Sequence, residues 1–482
     1  MRGVLVRTEV WIGFLMLGSL ACAGEKEALV AHGRSLYERN EYAAAKQVFT
    51  QLIEADATSV DGHYGRGMVS AAQGDYDAAI GDFSAALRLN PQHAGAFRNR
   101  GWAYFENRQL PDALSDLTEA IRLAPADATA YCNRSAVYLA KQDYPAALAD
   151  ANEAIHLNPK YGIAHINRSH AYIGQGNYDR AVADADNAVR LAPDDAAGYL
   201  NRSAAYAGKG NYERAIGDAT QAIQRDPHCV NAYSIRGRAY ALLGKLDEAT
   251  RDREREVQLD PGNVQAHLNL ASLRYVTGDF HKAIASCSEA MRLGSNDLRA
   301  YYWRAAAFSA IGEYDDAIGD FTGAIQRDPQ SVYGHYWRSR AYFATNQVEQ
   351  AVRDLTEVIR LDPICVEAYF ARAYIHYTTG RLDKAIADCT LAVKLAPKHI
   401  DAYYTRGAGH FLQGDYGKAI ADYSEAIRLS DDDANAKQAA MYFARAFAYL
   451  ENRQVAEAKV DFAEATRLGF GNAPEPPGDT KR

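Results

Sequence analysis

The side chains in this sequence suited to gripping another molecule recur at a fixed interval. Asn99, Asn133, Asn167 and Asn201 stand 34 residues apart, and Asn269 falls two intervals further on. A carboxamide is both donor and acceptor, so a row of them suits an extended peptide backbone whatever its side chains. Toward the C-terminus rings occupy this register and the neighbouring one: Tyr302, Trp303, Tyr336, Trp337, Phe370, Tyr404 and Phe443. Aromatic surface of this kind marks binding, because soluble chains seldom expose it otherwise. A third set is charged. Arginine is followed by aspartate sixteen residues later at Arg134 and Asp150, Arg168 and Asp184, Arg202 and Asp218, and in eleven of thirteen intervals overall. The two intervals without the arginine also lack the aspartate: His32 goes with Val48, and Leu270 with Ser286. Joint loss assigns each arginine to the aspartate of its own unit, as an internal, structural ion pair.

Catalytic chemistry is not indicated. Of thirteen histidines, His63, His165, His267, His335, His376 and His410 fall on the same interval, at places otherwise held by rings. No HExxH, glycine-rich phosphate loop or nucleophile elbow occurs. Carboxylates on a repeat are spread along the chain instead of converging. The expectation is a non-enzymatic protein with no cofactor and no metal. A net charge of −8 offers nothing to nucleic-acid phosphates or an anionic membrane. The six cysteines match no zinc or redox spacing. Cys365 and Cys389 lie in adjacent intervals, and a bridge between them is an alternative to free thiols.

The elements that position these residues follow from the same period. Pro91, Pro125, Pro159, Pro193, Pro227 and Pro261 are 34 residues apart, and the count continues through Pro329, Pro363 and Pro397. A 34-residue period predicts helix pairs that must stack to bury a core. In the unit Ala128 to Tyr161, a first helix is expected to about Lys141 and a second from about Pro145 to Leu157. Proline then stops the second helix. At position 15 of the unit, eight repeats carry glycine, among them Gly74, Gly210 and Gly414, as a left-handed cap requires. At 100° per residue, positions 4, 8 and 11 of the first helix form the core face, and positions 2, 5, 6, 9, 12 and 13 lie opposite. On the second helix, positions 20, 24 and 27 are expected to be small or apolar, as in Ala147, Ala151 and Ala154.

With an aromatic at 4, a small residue at 8, Tyr at 11, Ala at 20 and 27 and Pro at 32, the units resemble the tetratricopeptide repeat. The resemblance covers residues 26 to about 470. It implies an all-α, right-handed α-α superhelix of about thirteen helix-turn-helix repeats, with first helices lining a concave groove that holds a peptide or protein segment. The asparagine row is similar to the inner face of the tetratricopeptide domain of O-GlcNAc transferase. Basic groove residues such as Arg98, Arg238, Arg299 and Arg340 are too scattered for the carboxylate clamp of some family members.

Arg2 and Arg7, an apolar run from Trp11 to Leu20, and Ala21-Cys22-Ala23 have the form of an export signal. The expected organisation is a signal peptide over 1–23, repeats over 24–472 and a disordered tail over 473–482. Cleavage after Ala23 places the protein in the periplasm or outside the cell, with no membrane span. Lipidation of Cys22, on an envelope assembly factor or co-chaperone-like adaptor, is the alternative.

Overall fold

A computed structural model describes residues 23–430 and 436–470. The expectations for the export signal, for Cys22 and for the tail fall on residues outside these, as does the 431–435 part of an insertion near Asp431. From Ala23 to Arg467 the described residues form 26 α-helices and no strand. The unit read above is a helix over Ala128–Ala140 followed by one over Tyr144–Leu157. Asp127 caps the first by accepting from the Thr129 and Ala130 amides, satisfying donors that a helix start leaves open.

Every first helix ends in a residue with positive φ. Glycine fills the position in eight repeats, and Asn40, Arg108, Gln142, Asn346 and Arg453 take the same conformation at φ near +60°. The tight reversal is therefore imposed by packing of the two helices, with glycine as the least strained occupant.

Packing between paired helices follows a size rule. Where position 24 of the second helix is an aromatic ring, position 8 of the first is glycine or alanine, while leucine there meets glycine at Gly101 and serine at Ser339. A Cβ on Gly67 would stand 2.8 Å from the Phe83 ring, and one on Gly101 would stand 2.8 Å from Leu117. Where position 24 is Ala151, Ala185 or Ala219, position 8 is serine. Ser135, Ser169 and Ser203 are buried and donate to the carbonyls of Ala147, Ala181 and Ala215 at 2.7–2.9 Å. The hydroxyl uses the space that a ring fills elsewhere, and its polar group finds a partner.

The charged pairs form a ladder. Arg134 donates through Nε and Nη2 to the two carboxylate oxygens of Asp150 at 2.7 and 2.8 Å. Arg168 grips Asp184 at 2.8 and 2.6 Å, and Arg202 grips Asp218 at 2.8 and 2.7 Å, in the same bidentate way. Each guanidinium also reaches the preceding repeat: Nη1 donates to Thr118 from Arg134, to Asn152 from Arg168 and to Asp186 from Arg202. The pair thus ties two helices together and fastens that hairpin to its neighbour. Burial raises the Asp184 pKa, but hydrogen bonds from His165 and Arg168 outweigh it and hold the carboxyl below its usual range.

The described residues fall into two compact units that meet at Asp260 and Pro261. Near its end the first unit departs from the expected apolar pattern at positions 24 and 27. Arg253 and Glu256 are both buried there, with Arg253 Nη1 2.5 Å from Glu256 Oε2 and 3.0 Å from Ser234 Oγ. Gly237 at position 8 leaves room for the guanidinium. In the second unit, the repeat that lacks the ladder pair buries Leu270, and Ser286 accepts instead from Arg274 at 2.7 Å. At the last described residue, the Phe470 ring lies 4.4 Å from that of Phe443.

Candidate functional site

The face opposite the core is built by first-helix positions 2, 5, 6, 9, 12 and 13, and it differs between the units. In the first unit the amides are partly engaged by the protein itself. Asn99 is half-buried and donates to the Tyr64 hydroxyl at 2.9 Å. Asn201 donates to the Ala197 carbonyl of its own helix at 3.1 Å, while Asn133 is half-buried. Asn167 corrects the expectation of an open row: it is buried, and its Nδ2 donates to the Cys132 carbonyl of the preceding repeat at 3.0 Å. Position 5 of that preceding repeat holds a cysteine small enough to let the amide reach the main chain. In the second unit Asn269 accepts from Gln265 at 2.7 Å.

The rings of the second unit divide into three groups. Tyr336, Trp337 and Phe370 line a cavity of about 640 Å³ together with Tyr275, Phe343 and Tyr374. Its wall is set by ring-on-ring packing: Tyr336 stands perpendicular to Trp337 at 5.7 Å, and Tyr333 lies 6.0 Å from Trp337. Tyr302 and Trp303 buttress this wall from outside the lining. Tyr302 packs edge-on to Tyr333 at 4.8 Å with its hydroxyl 2.5 Å from Ser331 Oγ, and Trp303 packs on Tyr275 at 5.3 Å. Tyr404 and Phe443 are half-buried and lie outside the cavity lining. Tyr404 packs on Tyr423 at 5.6 Å beside a core cluster, and Phe443 on Phe462 at 5.7 Å, each a ring at position 24 of its own second helix.

Sequence reading did not single out Tyr333 and Tyr374, at positions 2 and 9, which are 47% and 45% exposed on the cavity wall. The helical angle that assigned those positions to the groove was the available signal. Arg340 and Glu367 join them in the lining, with the Arg340 guanidinium 5.0 Å from the Trp337 ring centre. Burial, then the neighbouring Tyr275 and Tyr302, pushes the Tyr333 phenol above its ordinary range, and burial does the same for Tyr336. These phenols therefore remain hydrogen-bond donors. Exposed apolar side chains also occur on this face in each unit: Ile163 and Leu242 in the first, Val276 and Leu412 in the second.

Cys365 and Cys389 are free thiols. Burial pushes the Cys132, Cys287 and Cys389 thiols up to about 12, which leaves them unreactive. Among the described residues no group of three His, Cys, Asp or Glu is placed to hold a metal ion. Nor is any described helix long and apolar enough to cross a membrane.

The family model that matches is described as the tetratricopeptide repeat. It covers residues 30–94, 98–161, 166–220, 203–264, 268–332 and 336–400, and a second model of the same description covers 400–433. A probable UDP-N-acetylglucosamine–peptide N-acetylglucosaminyltransferase, SPINDLY of Arabidopsis thaliana, is 30% identical over 84 residues. That stretch is 17% of this chain and only 9% of the plant protein. Among solved structures, a tetratricopeptide repeat protein from Parabacteroides merdae ATCC 43184 is 21% identical over 52% of this chain and 98% of its own, with a TM-score of 0.42. The APC/C hetero-tetramer Cut9-Hcn1 is 14% identical over 93% and 95%, at 0.39. YrrB, described as having an unusual peptide-binding site, is 21% identical over 38% and 95%, at 0.32. At these scores the three structures carry no weight for function.

Proposed function

Because the chain belongs to the tetratricopeptide repeat family, whose members generally serve as protein-interaction scaffolds, we propose that it is a non-enzymatic scaffold binding a peptide or protein segment on the faces of its first helices. In the first unit the half-buried amides of Asn99, Asn133 and Asn201 contact the ligand backbone; in the second unit the rings contact its apolar side chains. The observation that carries this reading is the 640 Å³ cavity whose wall exposes Tyr333 and Tyr374. Two rings left almost half in water beside the half-buried rings of one cavity wall are suited to a partner. The faces are built on rigid helices, so ordering costs fall mainly on the ligand. Transferase activity is not carried over from the plant protein, since the match is confined to a small part of it. The test is affinity for a partner isolated by cross-linking. Alanine at both Tyr333 and Tyr374 should weaken that partner's binding at least tenfold with melting unchanged, and equal affinity would reject the reading.

We also propose that the protein is exported, on the strength of the charged and apolar N-terminal pattern. Lipidation of Cys22 is the rival outcome.

A further inference from the structure

We infer that the ring-lined cavity of the second unit takes an extended, proline-rich segment carrying a carboxylate, held in the polyproline II conformation. This rests on the scaffold reading and names the ligand class for one of its faces.

Size argues first against a helix. One turn of α-helix with side chains, about 11 Å across and 5.4 Å long, fills roughly 500 Å³, so 640 Å³ holds about four or five residues of any segment. A helix that short has no stability of its own and would have to be ordered on binding. Polyproline II rises about 3.1 Å per residue and is already ordered before binding, so several residues lie along the wall at little entropic cost.

Ring geometry argues second. Tyr336 and Trp337 are mutually perpendicular, and Phe343 and Tyr374 meet at 79° with centres 6.2 Å apart. Rings set edge to face leave slots bounded by flat apolar walls, which fit the flat pyrrolidine ring. Aromatic-lined grooves are the general means by which proline-rich segments are held.

Hydrogen-bond chemistry argues third. Proline has no N–H, so such a segment offers carbonyl acceptors. The lining answers with donors: the Tyr333, Tyr336 and Tyr374 hydroxyls and the Arg340 guanidinium. Arg340, exposed and lying over Trp337, supplies a preorganised cation for a carboxylate. Glu367 in the same lining disfavours a carboxylate on its side and so fixes which end of the segment carries the acid.

The test uses the full chain and synthetic peptides, read by titration calorimetry and by the difference in tryptophan fluorescence between the chain and its Trp337→Phe variant. The probes are a Pro-Glu-Pro-Pro repeat, its Glu-to-Gln form, and an alanine-for-proline form that favours helix. The acidic proline peptide should bind about tenfold more tightly than its glutamine form, as a charge-assisted contact implies, and at least that much more tightly than the alanine form. Arg340→Gln should abolish the preference for glutamate while leaving the glutamine peptide's affinity unchanged. Tyr374→Ala should weaken every proline peptide, and Tyr374→Phe, which keeps the ring and the fold, should lose only part of the affinity. Equal or tighter binding of the alanine peptide overturns the inference, as does a glutamate preference that survives Arg340→Gln. Binding that appears only after removal of residues 471–482, which include Ala473-Pro474-Glu475-Pro476-Pro477, would overturn the partner as occupant in favour of the chain's own tail. If a partner still cross-links to this face while no proline peptide binds, this inference fails and the scaffold reading stands. If neither binds, both fail.

Discussion

Replacing Asp218 with Asn removes one carboxylate from the ladder, and the geometry sets the size of the loss. Arg202 makes two hydrogen bonds to Asp218, at 2.8 and 2.7 Å, and a third to Asp186 at 2.7 Å. The Asp218 side chain is 10% exposed and that of Arg202 is 21%, whereas Asp186 is 53% exposed. Hydrogen bonding to Asp218 raises the Arg202 pKa against the opposing effect of burial; without that partner the guanidinium still keeps its charge, because arginine does not lose its proton in proteins. Removing one member of a nearly buried pair costs about 3 kcal/mol; removing the exposed carboxylate costs under about 1 kcal/mol. A stacked array need not unfold in one step, so a local readout is preferable to a melting midpoint. Native-state hydrogen exchange in helices 196–208 and 212–225 should accelerate roughly a hundredfold in Asp218→Asn and less than about fivefold in Asp186→Asn. Combining Asp218→Asn with Arg202→Leu should cost less than the sum of the single changes, because a lone buried charge is no longer left behind. Additive losses, or equal effects of the two aspartates, would refute the ladder as the source of stability.

Other expectations follow from single sites. His376 is buried, and desolvation lowers its pKa below the usual value. The unfolded chain therefore binds the proton more readily, so stability present above about pH 6.5 is lost as pH falls toward the lower folded value. Hydrogen exchange in helix Val366–Thr378 against pH should show this loss, and His376→Phe should remove it. Gly210→Ala and Gly208→Ala separate two costs. Gly210 has φ +77° and open space around it, so its loss should be about 1 kcal/mol of backbone strain. A Cβ on Gly208 would sit 2.3 Å from Tyr178, so its loss should exceed that by overpacking of about 1–3 kcal/mol, both read by local hydrogen exchange. Mass spectrometry of the mature N-terminus should find Gly24 free; a lipid on Cys22 would contradict this.

The period, the turn and the ladder were legible because each depends on residue type at a fixed position, and the paired absence of Arg and Asp exposed their partnership. The reach of Nη1 went unread although its acceptors also keep register, sixteen residues before the arginine: beside Thr118, Asn152 and Asp186 stand Ser84, Thr220, Ser288, Thr322, Thr356 and Thr390. Small polar residues on a helix otherwise look like ordinary solvent-facing positions. Register likewise placed Asn167 on the open face; what turned it inward was the small Cys132 of the preceding repeat, whose carbonyl its amide reaches. Tyr404 and Phe443 stay half-buried, each packed on the ring at position 24 of its own repeat, Tyr423 and Phe462. Arg253 and Glu256 stand three apart on one helix, so their pairing was readable; what the pattern did not show is that both ions occupy buried core positions.

The central claim, that the first-helix face of the second unit meets a partner, is tested most directly by a photo-cross-linking amino acid at position 374, compared with one at position 391. Tyr374 and Leu391 are both exposed, but Leu391 lies on a second helix, Leu382–Leu395. In the cell of origin the account predicts a discrete polypeptide adduct from position 374 and none from position 391. Adducts from 391 alone, or equal labelling from both, would contradict it.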